Sequence, residues 1–107
     1  MDAATLLHRA LLSLGPDVAH TDSGGFHRYW RGDQVFAVLR VMKTRVHVGF
    51  NKLGKARAKR ILHAETARLP HVHHRVVVQH PADVDSELLA WLQESYENVD
   101  VWRQFPR

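Results

Sequence analysis

The apolar positions of the chain fall into short patterned stretches separated by polar or glycine- and proline-marked breaks. Leu6, Leu7, Ala10, Leu11 and Leu14 recur at helical spacing, which predicts an opening helix with one apolar stripe. Asp2 is placed to cap its start and Gly15-Pro16 to stop it. The polar stretch from Asp17 to Gly25 ends in Ser23-Gly24-Gly25 and reads as a loop.

Three closely spaced strands are expected next. Phe26 to Arg31 is rich in aromatic residues, and Gly32-Asp33 suits a tight turn. Gln34 to Met42 carries Val35, Phe36, Val38, Leu39 and Val41, apolar enough for a central strand. After Lys43-Thr44, the residues Val46, Val48 and Phe50 alternate with Arg45, His47 and Gly49, the pattern of a half-buried strand. Connections this short permit an antiparallel meander and leave no room for parallel crossovers.

The stretch from Asn51 to Leu69 has a weaker pattern. Lys55 to Leu69 can form a surface helix anchored by Ile61, Leu62 and Leu69, or a loop, and Pro70 ends it. Val72 to His80 reads as a fourth strand. Pro81-Ala82-Asp83 then leads into a final helix capped by Asp83 or Asp85, with Leu88, Leu89, Trp91, Leu92 and Tyr96 as its buried stripe. In the tail from Asn98 to Arg107, Val101, Trp102 and Phe105 predict docking against the body. The expectation is one α+β domain over residues 1–107. Its antiparallel sheet of about four strands packs against N- and C-terminal helices, with the basic segment 51–69 outside the core.

Composition narrows the classes of function. An apolar share of 45% and a charged share of 24% are those of a chain able to bury a core. Cysteine is absent, which excludes disulfides and thiolate metal sites. The apolar runs are too short to span a membrane, and Met1 to Thr5 lacks the basic start of a secretory signal. A cytoplasmic protein without membrane association is expected.

Charge changes the picture more. The net charge is +4, and no acidic residue occurs from Gln34 to Ala64, where Arg40, Lys43, Arg45, Lys52, Lys55, Arg57, Lys59 and Arg60 lie. From Asp83 to Asp100 the pattern reverses, with Asp83, Asp85, Glu87, Glu94, Glu97 and Asp100 and no basic residue. Such a two-sided distribution points to an anionic partner or to self-association.

Two stretches carry a family resemblance: Tyr29-Trp30-Arg31-Gly32-Asp33-Gln34-Val35-Phe36-Ala37, and His74-Arg75-Val76-Val77-Val78 followed by Pro81 through Tyr96. The chain resembles the YdhG-like group of small bacterial domains of unknown function, with the MmcQ/YjbR family as second choice. The latter family's fold is described as similar to a double-wing DNA-binding arrangement. The resemblance implies an α+β domain and brings no catalytic residue with it.

Several constellations compete as functional sites. Lys52, Lys55, Arg57, Lys59 and Arg60, with Arg45 in support, would form a phosphate-attracting patch for DNA, RNA or another polyanion. The plainer reading is a solvated basic segment. Tyr29 and Trp30 could stack on bases, but such rings are worth more in a thin core. His71 and His73 share a strand face, and with His47 they make an incomplete zinc set. No cofactor is called for.

Catalysis has little support. Ser13, Ser23, Ser86 and Ser95 sit in no elbow or triad pattern, and Gly54-Lys55 lacks the glycine spacing of a phosphate loop. The leading expectation is therefore a non-enzymatic, polyanion-binding domain. The alternative is a homodimerisation or protein-interaction domain, in which the basic segment of one copy meets the acidic helix of another. A third possibility, a pocket-centred function, would show as a concave site lined by Tyr29, His27 or His47.

Overall fold

A computed structural model describes residues 1–104. Helix α1 (Ala3–Leu12) begins where expected, with the Asp2 carboxylate accepting from the Thr5 amide at 2.7 Å. Then follow strands β1 (Val18–Ser23), β2 (Phe26–Arg31), β3 (Gln34–Val41), β4 (Val46–Phe50), β5 (Leu62–His63) and β6 (His74–Val78). Helices α2 (Ser86–Glu97) and α3 (Val99–Gln104) close the chain. The strands form one antiparallel sheet in the order β1-β2-β3-β4-β6-β5.

The α+β architecture with terminal helices is as the sequence predicts, but the sheet has six strands rather than four. The first addition is β1, read from sequence as a loop. It is an edge strand with one half-buried residue, Val18, and five exposed ones, so it has no apolar alternation to betray it. Backbone pairing to β2, Val18 opposite Arg31 through Ser23 opposite Phe26, holds it in place. The second addition, β5, is only two residues long and covers the opposite edge.

The helices lie on one face of the sheet. Leu7, Leu11, Leu88, Leu92 and Trp102 pack there with Tyr29, Leu39, Val48, Phe50 and Val76. A bulge adjusts β3 to this face: Tyr29 pairs with Ala37 and Trp30 with Val35, leaving Phe36 between them. Phe36 and Ala37 consequently both enter the helix-side core. The tail does dock as far as it is described: the Trp102 indole is buried and donates to the Ser95 carbonyl at 2.7 Å. Phe105 lies outside the described residues.

Of the two forms expected for the basic segment, a surface helix or a loop, the structure does not contain the helix. Residues 55–69 contain no α-helix, only β5 and a single 3-10 turn at Glu65–Ala67 that ends with Arg68 in the left-handed region (φ 56°). Nor does it all lie outside the core. Ala64, Leu69 and Val72 are buried against Val35 and Val38, forming a second apolar layer on the sheet face away from the helices.

Gly49 makes that close approach possible. A Cβ there would stand 2.6 Å from Val72 Cγ2 and 2.9 Å from Leu69 Cδ1. Asn51 fastens the segment at its other end: its side chain accepts from the His73 amide at 3.0 Å, and its own amide donates to Ser95 Oγ at 3.0 Å. Ser95 in turn donates to the Phe36 carbonyl at 2.6 Å, so one buried network joins β3, β4, α2 and the 64–73 segment.

Candidate functional site

The basic residues singled out in the sequence separate into two groups. Residues 52–60 run antiparallel along α2. The Leu53 amide donates to Glu94 Oε1 at 2.7 Å, and Arg60 lies at the other end of the helix. The Arg60 guanidinium donates to Asp85 at 2.8 Å, Glu87 at 3.4 Å and the Asp83 carbonyl at 2.9 Å, and it covers the Trp91 ring at 5.8 Å. The basic segment and the acidic helix therefore meet within one molecule. Lys52 donates to the neighbouring Leu53 carbonyl, while Lys55, Arg57 and Lys59 are exposed and enter no ion pair among the described residues.

Arg45 belongs elsewhere, with residues that contiguity along the chain did not group with it. His47 on β4 stands directly opposite Arg40 on β3 and Val77 on β6, and Arg75 on β6 is opposite Gly49. Alternation along β4 and its lead-in puts Arg45 on the same face as His47. Arg75 Nη1 donates to His47 Nδ1 at 3.4 Å, and its remaining donors reach the His63 carbonyl and Thr66 Oγ1 at 2.9 and 2.8 Å. Arg40 reaches the Ala67 carbonyl and lies 5.4 Å from the Phe26 ring centroid.

None of these three arginines has a carboxylate partner among the described residues. The cluster's field is felt by His47, which is 8% exposed. Burial first, then the charges of Arg75, Arg45 and Arg40, hold its pKa below the ordinary histidine value. A neutral imidazole accepting at Nδ1 is the form that this geometry requires.

The histidines considered as zinc ligands do not converge. His47 is engaged by Arg75, His71 adopts a left-handed backbone (φ 68°) beside Trp30, and His73 is tied through its amide to Asn51. Among the described residues no group of three or more His, Asp or Glu side chains is arranged to hold a metal ion.

A different histidine cluster occupies the helix-side face. A cavity of about 320 Å³ opens between α1 and strands β1–β3, lined by Ala4, Thr5, His8, His20, His27, Tyr29, Leu39 and Val41. Its Tyr29 and His27 were expected of a pocket, whereas His47 lies on the other side of the sheet. The Tyr29 hydroxyl is 2.8 Å from His8 Nδ1, and His20 Nε2 is 3.0 Å from His27 Nδ1. Burial pushes the Tyr29 pKa well above its ordinary value, so the hydroxyl beside His8 stays protonated. Burial, then His8 and His27, lower the pKa of His20. His8 and His20 escape a sequence reading because cross-strand register and helix docking, not spacing, bring them together.

Residues 1–99 match a family described as a domain of unknown function, DUF5655. The chain belongs to the DUF5655 family. That match spans α1 through the first residue of α3, and so both the arginine cluster and the imidazole cavity lie within the DUF5655 domain. It agrees with the small α+β domain implied by the YdhG-like and MmcQ/YjbR resemblances, without extending to either of those names. No curated protein and no solved structure matches the chain. No helix among the described residues is long and apolar enough to cross a membrane.

Proposed function

We propose that this DUF5655 domain binds a polyanion, in the first instance a nucleic-acid backbone, through the sheet face that carries Arg40, Arg45 and Arg75. The observation behind this reading is the grouping of three guanidinium groups around a buried, neutral imidazole, none of them ion-paired with a carboxylate among the described residues. Guanidinium groups keep their charge at any physiological pH and bond phosphate oxygens in pairs, and they are less strongly hydrated than ammonium groups. Recognition of this kind follows backbone charge rather than base sequence.

Lys55, Arg57 and Lys59, exposed beside α2 on the other side of the sheet, add to the overall positive charge that raises the encounter rate. Lys52 adds to the same field. Arg60 is the exception within the sequence-derived set, since its charge is already met by Asp85 and Glu87. The same pairing bears on the alternative reading, homodimerisation: the acidic helix that a second copy would have to engage is occupied at its N-terminal end by the chain's own arginine.

Fluorescence anisotropy with labelled single- and double-stranded oligonucleotides across a salt series tests the proposal. Affinity that falls steeply with salt, and falls further in the Arg45→Ala variant, supports it. Absence of binding at low salt overturns it, and concentration-dependent mass in the same samples would then favour self-association.

A further inference from the structure

The cavity beneath α1 lies on the opposite side of the sheet from the arginine cluster and takes no part in that reading. Its construction is that of a small-molecule site: a concave, mainly apolar wall with a few polar groups converging on it. Ala4, Leu39 and Val41 provide the apolar surface. The polar groups are three imidazoles, from His8 on α1, His20 on β1 and His27 on β2, together with the hydroxyls of Thr5 and Tyr29.

The chemistry of these groups has one sign. Every polar side chain lining the cavity can donate a hydrogen bond, and the imidazoles alone can take up charge near neutral pH, which is positive. No carboxylate lines it. Asp22 sits opposite His27 in the β1–β2 pair, with its Oδ2 4.0 Å from His27 Nδ1 and its side chain 58% exposed, and Asp2 is held by the Thr5 amide at the start of α1. The imidazoles of His8 and His27 stand close enough to oppose protonation of His20: His8 and His20 ring centroids are 4.9 Å apart, and those of His20 and His27 are 5.2 Å apart. An anionic head group placed among them removes that repulsion, while an apolar body fills the remaining volume.

We propose that this cavity binds a small organic acid, a monocarboxylate with a compact apolar body, with its carboxylate held by His20 and His27 and its body against Leu39, Val41 and Ala4. Tyr29 and His8 act behind them, the hydroxyl fixing the ring of His8 roughly perpendicular to that of His20. His8 on α1, Asp22 and His20 on β1, and His27 and Tyr29 on β2 are the titratable groups facing the ligand. The preference for the carboxylate over a neutral molecule of the same shape is therefore greater at pH 6 than at pH 8.

Titration of tag-free, full-length protein with benzoate at pH 6, followed by the imidazole and methyl resonances in NMR spectra, tests this, with benzyl alcohol as neutral counterpart. The expected result is saturable shifts of His8, His20, His27, Leu39 and Val41 with benzoate. Binding should be at least tenfold weaker for benzyl alcohol and for the His20→Gln/His27→Gln variant. His20 is exposed and His27 half-buried, so that variant keeps the fold, which its far-ultraviolet spectrum checks. Ala4→Leu, which fills the cavity from α1, should abolish binding independently. Equal binding of the neutral compound, unchanged binding by the variants, or no saturation at millimolar benzoate would each overturn the proposal.

Discussion

The Arg60 guanidinium donates to the Asp85 carboxylate at 2.8 Å, across the gap between the basic loop and the acidic end of α2. Asp85 is also the N-cap of that helix, accepting from the Leu88 amide at 2.9 Å. One arginine thus ties a long loop to a helix start. It also cancels part of the charge asymmetry that makes the sequence look like two halves of an interface. Arg60→Ala is expected to lower stability by about 1 kcal/mol through loss of the ion-pair network and the Trp91 contact, measured by urea denaturation. Polyanion affinity should be unchanged in the same variant, because Arg60 is not on the binding face.

Gly49→Ala addresses the second apolar layer. The added methyl would stand under 3.0 Å from the side chains of Val72 and Leu69, so these residues must shift away from the sheet. A loss of about 1–3 kcal/mol is expected, with increased amide exchange confined to residues 62–73. Unchanged exchange there would mean that the segment is not packed on Val38.

Ser95→Ala tests the buried network. Ser95 Oγ accepts from the Asn51 amide and donates to the Phe36 carbonyl, both in the interior. Removing it strands two buried backbone groups, at an expected cost of about 1–3 kcal/mol by chemical denaturation.

Much of this was legible in the sequence and some was not, for reasons specific to each element. The stripes of α1 and α2, the alternation of Val46, Val48 and Phe50, and the cap residues Asp2 and Asp85 all express local rules and were readable. β1 was not, since an edge strand held by backbone pairing needs no apolar side chains. Leu69 and Ala64 were too few to signal a layer of their own. The candidate sites depend still more on register. Arg40, Arg45 and Arg75 meet only because β3, β4 and β6 are neighbours in the sheet, and counting charge along the chain favoured the 52–60 run instead. His20 meets His27 only through β1, the strand that the sequence did not reveal.

The pH dependence of stability follows from the shifted groups. His47, His71 and His74 all have pKa values lowered first by burial, His47 further by Arg75, Arg45 and Arg40, His71 by Arg28, and His74 by His73, His63 and Lys52. In the unfolded chain they take up protons around pH 6.5, while in the fold they resist until lower pH, so the unfolded state binds more protons in that window. Their contribution is complete above about pH 6.5 and lost as pH falls through the lowered folded values. Asp83, whose carboxylate accepts from the Gln79 and His80 amides, and Asp17, bonded by Tyr96 and Arg31, are lowered too and lose their contribution below the ordinary carboxylate range. Thermal melts should therefore show Tm falling from pH 7 to 5 and again below pH 4, with the first fall shallower in His74→Gln.

The most direct test of polyanion binding by the sheet face compares two charge reversals at matched net charge: Arg45→Glu on that face and Lys59→Glu on the exposed loop. Anisotropy with a labelled single-stranded oligonucleotide across a salt series should show Arg45→Glu losing affinity at least tenfold and flattening the salt dependence, with Lys59→Glu much closer to the parent. Equal losses in the two variants, or a loss confined to Lys59→Glu, would contradict the account and return the contact to the loop.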